Sequence, residues 1–578
     1  MKDFLFKKVD LKDSDMFIEP VFGKKFFGRE DVLSSLHKRV TALKSGYRQN
    51  MALTGPMLAG KSSILRNFLK SIRDPEVVPL YIELDDVDFR IFCTQFMGTL
   101  LYHYLKSDVQ GSCSLLSRFQ REVQSGIKGN TNDGFESLKE MCRGIIPVTV
   151  KCMDDVCDFL ACKKNNIAYE KMLELTAVFK NETGKNCIVI LDEFHNLSNF
   201  KLKKPFQVFG RFIMVQKNTM YVVSSSQKSL LKDILSEKLS LLFGNFEVIE
   251  VNGFDSCTAR AFISDKMKRF ESLKEVENYF IQISQGNPFY LEVFAKSFCE
   301  FMEEKGQNAD MKECLLEVFA STLYNSNGVL NQYFTNNLNF FLEKKTRKKF
   351  IPVLMSLARG NCTMKAIQKD LKRTDKDLGM KLQRLQEMDL VFNNGVFYKI
   401  SDKLFEYWIK YVYCLKAQSM IDDLDIKYLE FKRFMENDFK EHCEFNRQSV
   451  KDIVCRLFKA FDNSKMQINM SYRKMPRFDS IESAYVSNNG IRIRGRFLNK
   501  EWVCHVKEND IADENDVHRL CECKPKDDGV KISRKILIPL GGIEQNAFLL
   551  AKEHDVWVWS IEKLNKNLRL FGKFELIL

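Results

Sequence analysis

The chain has 578 residues, of which 45% are hydrophobic and 29% charged, with a formal net charge of +13. A chain of this length exceeds what one hydrophobic core supports, so we expect three or four domains. No apolar run is long enough to span a bilayer and the start lacks a signal-peptide core, which predicts a cytoplasmic protein with no membrane partner. The positive net charge is compatible with a nucleic-acid partner but does not require one.

A strand pattern at 51–53, a glycine-bearing loop and a helical pattern follow one another near the N-terminus. The loop and the start of the helix read Gly55, Pro56, Met57, Leu58, Ala59, Gly60, Lys61, Ser62 and Ser63. This order predicts a phosphate-binding P-loop, because glycines let successive N–H groups converge and the helix N-terminus adds a positive dipole end. Lys61 would reach the β- and γ-phosphates, and Ser62 would be a Mg²⁺ ligand. The alternative is a plain turn between strand and helix.

Further strands and helices alternate downstream. Residues 77–84 predict a second buried strand, 89–106 and 153–180 predict helices, and 219–227 and 246–251 predict two more strands. Alternation of this kind predicts a parallel α/β sheet covered on both faces, within a domain at 20–255. Residues 107–151 are punctuated by Ser, Gly and Asn, which predicts an insertion or a long loop.

One buried run, Cys187 to Leu191, ends in Asp192 and Glu193. The carboxyl ends of buried parallel strands are where such sheets bind ligands. Asp192 would hold Mg²⁺ through its water shell, and Glu193 would orient and polarise the attacking water. A strand ending in Asp-Glu means little by itself. Together with the P-loop it predicts a Mg²⁺-dependent ATPase whose cofactors are ATP and Mg²⁺.

Residues 256–345 are nearly all helical in pattern, interrupted by Gly286-Asn287-Pro288, and predict a helical lid. Three short helical patterns at 350–358, 364–371 and 377–388 then precede a hairpin signal, Asn393-Asn394-Gly395. Together they predict a winged helix-turn-helix at 346–415.

The candidate contacts of this winged helix to double-stranded DNA are Lys376, Lys381, Gln383 and Arg384. Acidic neighbours favour the alternative, a protein-interaction module with a solvated polar face, and these are Asp375, Asp377 and Glu387.

Residues 440–578 predict a separate α/β domain. A helix at 447–461 precedes strand patterns at 478–486, 490–497, 502–507, 535–540 and 556–559, with a helix at 544–552. A zinc site is a weak alternative in this region, drawn from Cys504, His505, His518, Cys521 and Cys523. Cys504 and His505 are neighbours on a strand and face opposite sides, and the spacing lacks a Cys-x₂-Cys knuckle.

These features resemble the archaeal-type ATPase branch of the P-loop ASCE superfamily, which is related to the STAND and origin-recognition ATPases. The resemblance covers about residues 20–415 and includes Gly28-Arg29-Glu30, the P-loop, the acid-tipped strand and Gly286-Asn287-Pro288. It implies an AAA+-like core. It also implies that Arg29 lies near the base, that Pro288 packs by the adenosine, that Ser225 is close to a catalytic sensor position and that the ATPase domain can form a homo-oligomer.

The C-terminal domain resembles the restriction-endonuclease-like fold. That fold implies an acid at the start of one strand and an acid-x-lysine motif on the next, which hold a metal and activate water. Asp479 fits the first acid and Lys507 the lysine, while His505 stands where a carboxylate is implied. Glu444 or Glu482 would have to compensate, since Mg²⁺ prefers oxygen ligands.

Three functions follow from these patterns. The first is a nucleotide-driven, DNA-associated ATPase switch. The second is an ATP-gated nuclease of a mobile-element or defence system. The third is a STAND-like signalling scaffold that does not bind DNA.

Overall fold

The computed structural model describes residues 19–85, 87–108, 131–239, 246–270, 274–306, 310–342, 344–372, 377–418, 424–468, 471–486 and 490–577. They form two compact units. The first holds the residues up to Phe254 together with Asn287–Phe289, and the second holds Asp255–Gly286 and the residues from Tyr290 onward. None of the helices within these ranges is both long enough and apolar enough to cross a membrane.

The first unit contains a five-stranded sheet in the order β2-β3-β4-β1-β5, and every neighbouring pair is parallel. Its strands are β1 (Asn50–Thr54), β2 (Val77–Glu83), β3 (Asn186–Asp192), β4 (Thr219–Ser225) and β5 (Phe246–Glu250). Every residue of β1, β3 and β4 is buried, as their unbroken apolar runs predict. The predicted parallel α/β sheet is confirmed.

Helices cover both faces of this sheet. They are α1 (Glu30–Lys44), α2 (Lys61–Ser71), α3 (Phe89–Asp108), α4 (Thr131–Arg143), α5 (Pro147–Ala161), α6 (Asn165–Thr183), α7 (Pro205–Val215) and α8 (Lys228–Asp233). Alternate residues of β3 enter different cores: Ile188 and Ile190 pack in one cluster with Ile64, while Val189 packs in the other with Phe96. This division follows from the two-residue period of a strand.

Of the two alternatives predicted for 107–151, the long loop is wrong for the second half, where α4 and the start of α5 lie, and the insertion stays a prediction. Phe135, Leu138 and Cys142 are buried and recur at the three- and four-residue spacing of one helical face. The polar residues between these positions made the helical spacing of the apolar residues hard to recognise from the sequence. Residues 109–130 of the expected loop lie outside the described residues.

The second unit begins with helices, in agreement with the pattern predicted for the lid. They are α9 (Ser256–Lys266), α10 (Lys274–Ser284), α11 (Pro288–Lys305), α12 (Met311–Phe319) and α13 (Val329–Phe341), and the first two residues of α11 belong to the first unit. The elements predicted as a winged helix follow, as α14 (Lys344–Ala358), α15 (Met364–Asp370), α16 (Leu378–Glu387) and the antiparallel pair β6 (Val391–Asn394) and β7 (Phe397–Ile400). Three helices and a hairpin are therefore present, and their assignment as a winged helix stays a prediction.

The chain continues through α17 (Lys403–Trp408), α18 (Cys414–Gln418), α19 (Leu424–Asn446), α20 (Val450–Ala460) and a small hairpin, β8 (Lys465–Ile468) and β9 (Ser471–Lys474). A second five-stranded sheet follows, formed by β10 (Ser480–Val486), β11 (Gly490–Phe497), β12 (Lys500–Lys507), β13 (Lys531–Pro539) and β14 (Val556–Val558). Its first three strands are antiparallel and its last three parallel. The helices α21 (Glu514–Cys521), α22 (Gln545–Glu553) and α23 (Ile561–Leu570) complete the unit.

The β6–β7 hairpin and the C-terminal sheet share one hydrophobic core. Phe397 packs in the same buried cluster as Trp502 and Trp559. Arg569 on α23 donates hydrogen bonds to the carbonyls of Ile400 at 2.8 Å and Ser401 at 2.9 Å. The boundaries predicted near residues 345, 415 and 440 fall inside this unit, and they stay predictions.

Candidate active site

The P-loop connects β1 to α2 at the carboxyl edge of the first sheet. Gly60 has φ +94° and precedes the first residue of α2, a conformation that favours glycine. Gly55 is required for a different reason, because a Cβ there would lie 2.0 Å from the Val251 carbonyl oxygen after β5. Leu58 adopts a left-handed conformation with φ +60°. The loop is therefore a sharply curved segment held against β5.

Lys61, the first residue of α2, is 5% exposed. Its ammonium donates hydrogen bonds to the carbonyl oxygens of Gly55 at 2.9 Å and Pro56 at 2.8 Å. Burial lowers the pKa of the Lys61 ammonium, and the nearby carboxylates of Glu193 and Asp192 partly oppose this shift. The lysine charge therefore lies inside the loop and within electrostatic reach of both predicted acids.

Asp192 ends β3 and is fully buried. Tyr81 on β2 donates its phenol proton to Asp192 Oδ2 at 2.7 Å, and the hydroxyl of Ser224 on β4 donates to Asp192 Oδ1. Burial and the Asp192 charge raise the pKa of the Tyr81 phenol, so it remains a donor at neutral pH. No sequence motif assigned Tyr81 or Ser224 to the site. Their only signal was a polar side chain near the carboxyl end of a strand beside β3.

Glu193 has a left-handed backbone, with φ +52°, directly after β3. Its carboxylate oxygen Oε2 accepts hydrogen bonds from the backbone N–H and the hydroxyl of Ser226, both at 2.9 Å. Burial raises the pKa of the Glu193 carboxyl, and Lys61 and the two Ser226 donors oppose the rise. The loop after β4 therefore orients the predicted water-activating group.

Ser226 contacts Glu193, whereas Ser225, for which the resemblance implies a nearby sensor position, contacts His195. The Ser225 hydroxyl lies 2.9 Å from His195 Nδ1, and Gln227 Nε2 lies 3.1 Å from His195 Nε2. Burial lowers the pKa of His195 to about 4, and the Lys61 charge adds to the shift. His195 Nδ1 is also 3.3 Å from Glu193 Oε2, but a neutral imidazole forms no ion pair there. Ser225 therefore belongs to a neutral polar network behind the carboxylate.

Arg29 and Pro288 both lie near the P-loop. The Arg29 guanidinium donates to the carbonyl of Ala59 at 3.2 Å and to that of Asn252, and it lies 4.8 Å from the centroid of the Phe254 ring. The Pro288 ring lies 4.0 Å from where a Cβ on Gly60 would be. Arg29 thus links the segment before α1 to the P-loop, and its predicted role beside a base stays a prediction.

The donor set at this edge fits Mg²⁺. Ser62 and Asp192 offer oxygen atoms, the ligands this ion prefers. Within the described ranges, no group of three or more His, Cys, Asp or Glu residues could hold a metal ion. A cation here would take most of its ligands from phosphate and water, as Mg²⁺ does beside nucleotides.

The predicted nuclease pair of Asp479 and Lys507 is wrong. Asp479 precedes β10 at the sheet end where Ser480 pairs with Arg496, whereas Lys507 pairs with Gly490 at the other end. Six residue steps along β11 separate these register positions, or about 20 Å. This separation is too large for one metal ion to bind both side chains.

Other contacts occupy three of the four candidate nuclease residues, and the fourth is exposed. The Asp479 carboxylate accepts the N–H of Leu498 at 3.1 Å, and Lys507 forms a buried ion pair with Asp516 at 3.0 Å. Glu482 pairs with Lys526, and Glu444 lies exposed on α19. Strand register, which the sequence did not reveal, decided this outcome.

The predicted DNA-reading helix α16 carries partly neutralised charge. Arg384 pairs with Glu387 at 2.8 Å, and Gln383 donates to the same carboxylate at 3.2 Å. Lys376 and Asp375 lie outside the described residues.

Comparisons with known proteins agree with the geometry of the first unit. Residues 25–204 match the family model described as AAA ATPase domain. A search of the curated proteins found no match.

Three solved structures are similar to the chain. A Walker-type ATPase of Pyrococcus abyssi is 16% identical, with a TM-score of 0.46 over 68% of this chain and 99% of its own. The ORC2 protein of Aeropyrum pernix, solved in ADPNP–ADP complexes, is 10% identical, with a TM-score of 0.39 over 72% of this chain and 97% of its own. The ORC1 protein of the same organism, solved in complex with DNA, is 12% identical, with a TM-score of 0.34, and the match covers 66% of this chain and 92% of the ORC1 chain. Residues 25–204 are therefore similar to an AAA ATPase domain, and the parallel sheet is consistent with that similarity.

Proposed function

We propose that this protein is a Mg²⁺-dependent ATPase that works as a nucleotide-driven switch associated with double-stranded DNA. The observation that carries the proposal is the convergence of the buried Lys61 with Asp192 and Glu193 beside a strongly curved P-loop. Lys61 and Asp192 are buried and Glu193 is half-buried, and a cluster of ionisable groups with shifted pKa values at a strand edge is typical of a functional site. The AAA ATPase domain match at residues 25–204 supports the same conclusion.

ATP would bind with its phosphates on residues 55–63. Lys61 would exchange its two carbonyl contacts for phosphate oxygens, which gain more from a positive charge than neutral carbonyls do. The N–H groups at the start of α2 would add their dipole to the same anion. Bound Mg²⁺, held by Ser62 and by Asp192 through water, would neutralise charge that develops on the phosphates.

Glu193 would polarise the water that attacks the γ-phosphate. Its carboxylate must be ionised to accept a proton from that water, and Lys61 and Ser226 favour the ionised form. Ser226 holds one carboxylate oxygen, which leaves the other free to orient water. Ser226 is therefore a positioning residue in this proposal.

The switch rests on the difference in affinity of ATP for two arrangements of the chain. ATP can shift such an equilibrium only by the ratio of those affinities. The signalling-scaffold alternative shares the ATPase and differs in lacking DNA affinity. We do not propose the nuclease alternative, because the strand register puts Asp479 and Lys507 at opposite ends of the sheet.

Two substitutions test the ATPase. Glu193→Gln should keep ATP affinity within a few fold and lower turnover by roughly 10² to 10⁴, since only the water-activating group is lost. Lys61→Ala should remove detectable ATP binding. Equilibrium binding of a fluorescent ATP analogue and phosphate release measure the two effects. Wild-type turnover in Glu193→Gln would refute the assigned role of this residue.

DNA association is tested by measuring ATP turnover with and without double-stranded DNA at two salt concentrations. Stimulation that is lost at high salt supports the DNA-associated switch, because phosphate contacts release counterions. Unchanged turnover, with no DNA affinity at low salt, favours the signalling scaffold.

A further inference from the structure

A groove of about 750 Å³ opens in the second unit, and its lining includes none of Lys381, Gln383 and Arg384, the described residues that the sequence predicted for DNA binding. One wall comes from the β6–β7 turn and the β8–β9 hairpin, through Asn394, Gln467 and Arg473. The rest of the lining comes from α22, the edge strand β14 and α23. The hairpin is held in place by paired hydrogen bonds between Asn394 and Gln467, one of them 2.7 Å long. The groove is thus a feature of the folded unit and has no counterpart in any single sequence motif.

The lining is strongly basic. It contains four cationic side chains, Arg473, Lys552, Lys563 and Lys566, and one acid, Asp555. The Asp555 carboxylate is already paired with Arg534 at 2.8 Å. Among the residues that the structure describes, Arg473 and Lys566 have no acidic partner. Unneutralised charge of one sign in a concave surface attracts a polyanion.

The aromatic rings of the groove are not free for stacking. The Arg534 guanidinium lies 4.1 Å from the centroid of the Trp557 ring, and the Lys552 ammonium lies 4.6 Å from that of Phe548. Trp559 is 1% exposed. Proteins that bind single strands stack the bases on exposed aromatic rings, whereas a duplex offers its phosphates and keeps its bases stacked inside. The lining therefore favours a duplex.

Amide side chains complete the lining. Asn394, Gln467 and Asn567 lie among the cations. Asn394 and Asn567 are buried, whereas the exposed amide of Gln467 can donate hydrogen bonds to phosphate or sugar oxygens. Helix α16 differs, because its Arg384 is paired with Glu387.

From these observations we infer that the groove between the β8–β9 hairpin and α23 binds the phosphate backbone of double-stranded DNA without reading its sequence. The inference rests on the proposed DNA association and assigns it a surface.

The test uses the full-length protein and a fluorescent DNA duplex of random sequence. The groove variant combines Arg473→Ala, Lys563→Ala and Lys566→Ala. Each phosphate contact contributes about −0.9 to the slope of log affinity against log salt. We expect the slope to become shallower by about 2 to 3 and the affinity at 0.1 M salt to fall roughly 100-fold or more.

The matched control removes the same charge from exposed lysines of the same unit outside the groove, as Lys348→Ala, Lys349→Ala and Lys440→Ala. This variant should keep most of the wild-type affinity and slope. A third variant, Lys381→Ala with Arg384→Ala, tests α16. ATP turnover without DNA should be equal in all variants, which separates failure of the groove from failure of the proposed ATPase.

Three outcomes overturn the inference. The first is wild-type affinity and slope in the groove variant. The second is a loss confined to the α16 variant, which would assign the duplex to the predicted winged helix. The third is unchanged duplex binding together with lost binding of single-stranded DNA or polyglutamate, which would assign another polyanion to the groove.

Discussion

At the scale of single residues, the candidate site combines groups that motifs reveal with groups that only contacts reveal. Lys61, Asp192 and Glu193 could be assigned from the sequence because each follows a strand or loop pattern at a fixed distance. Ser226 could not be chosen from three consecutive serines, because the turn after β4 decides which hydroxyl faces Glu193. His195 could not be assigned either, because a histidine shortly after an acidic pair has no characteristic sequence pattern.

Removal of the Ser226 hydroxyl should change the pH dependence of ATP turnover. Burial already raises the pKa of Glu193, and the Ser226 hydroxyl opposes that rise. In Ser226→Ala the pKa of Glu193 should therefore rise further. Glu193 is active when ionised, so turnover should begin to fall at a higher pH on acidification. The pH profile of kcat measures this shift.

Two further variants separate this role from a general structural one. Ser226→Thr keeps the hydroxyl and should restore the wild-type profile. Ser225→Ala removes a hydroxyl that contacts His195 instead of Glu193, so its acidic limb should stay at the wild-type position. An unshifted limb in Ser226→Ala would contradict the assignment.

At the scale of elements, the P-loop was predicted with its neighbouring strand and helix, and its two glycines have different physical tasks. Gly60 supplies a left-handed backbone, which the motif implies. Gly55 lets β1 approach the end of β5, a contact between segments about 200 residues apart that the motif does not reveal. Helix α4 was missed because its buried positions are spread among polar residues.

Gly55→Ala should destabilise the first unit locally, where β1 and the end of β5 meet. The new Cβ would lie 2.0 Å from the Val251 carbonyl oxygen, a backbone atom that moves only if β5 moves. Overpacking of this kind costs about 1–3 kcal/mol. We expect weaker ATP binding and faster amide hydrogen exchange in β1 and β5.

Gly98→Ala is the matched control for this substitution. Gly98 lies in helix α3, and a Cβ there would meet Phe135 at an ordinary 3.8 Å. Alanine also favours a helix more than glycine does. ATP affinity and exchange in β1 and β5 should therefore match the wild type. Equal behaviour of the two variants would show that the close approach at Gly55 is unimportant.

At the scale of the whole molecule, the second unit joins elements that the sequence assigned to different domains. Phe397 of the β6–β7 hairpin lies in the core of the C-terminal sheet, and Arg569 donates to the chain after β7. The groove proposed for DNA exists because these elements pack together. Composition and local patterns could not predict this shared core, because the predicted winged helix and the predicted C-terminal domain each have the sequence pattern of a complete domain.

Phe397→Ala should destabilise the second unit as a whole. Loss of a buried phenylalanine costs about 3–5 kcal/mol, because a cavity remains where the ring was. All four tryptophans lie in the second unit, so their fluorescence during urea unfolding reports this unit alone. Val396→Ala on the same hairpin is the control, because Val396 is 39% exposed and should cost little. A transition equal to that of wild type in Phe397→Ala would contradict a shared core.

The sequence by itself determined the elements whose signals are local. These include the parallel strands, the P-loop, the acids after β3 and most strands of the C-terminal sheet, because burial imposes unbroken or alternating apolar patterns on neighbouring residues. Tertiary structure alone decided which residues from distant segments meet. It paired Ser226 with Glu193, separated Asp479 from Lys507 by strand register and formed the basic groove, since register and packing depend on contacts that no local pattern encodes.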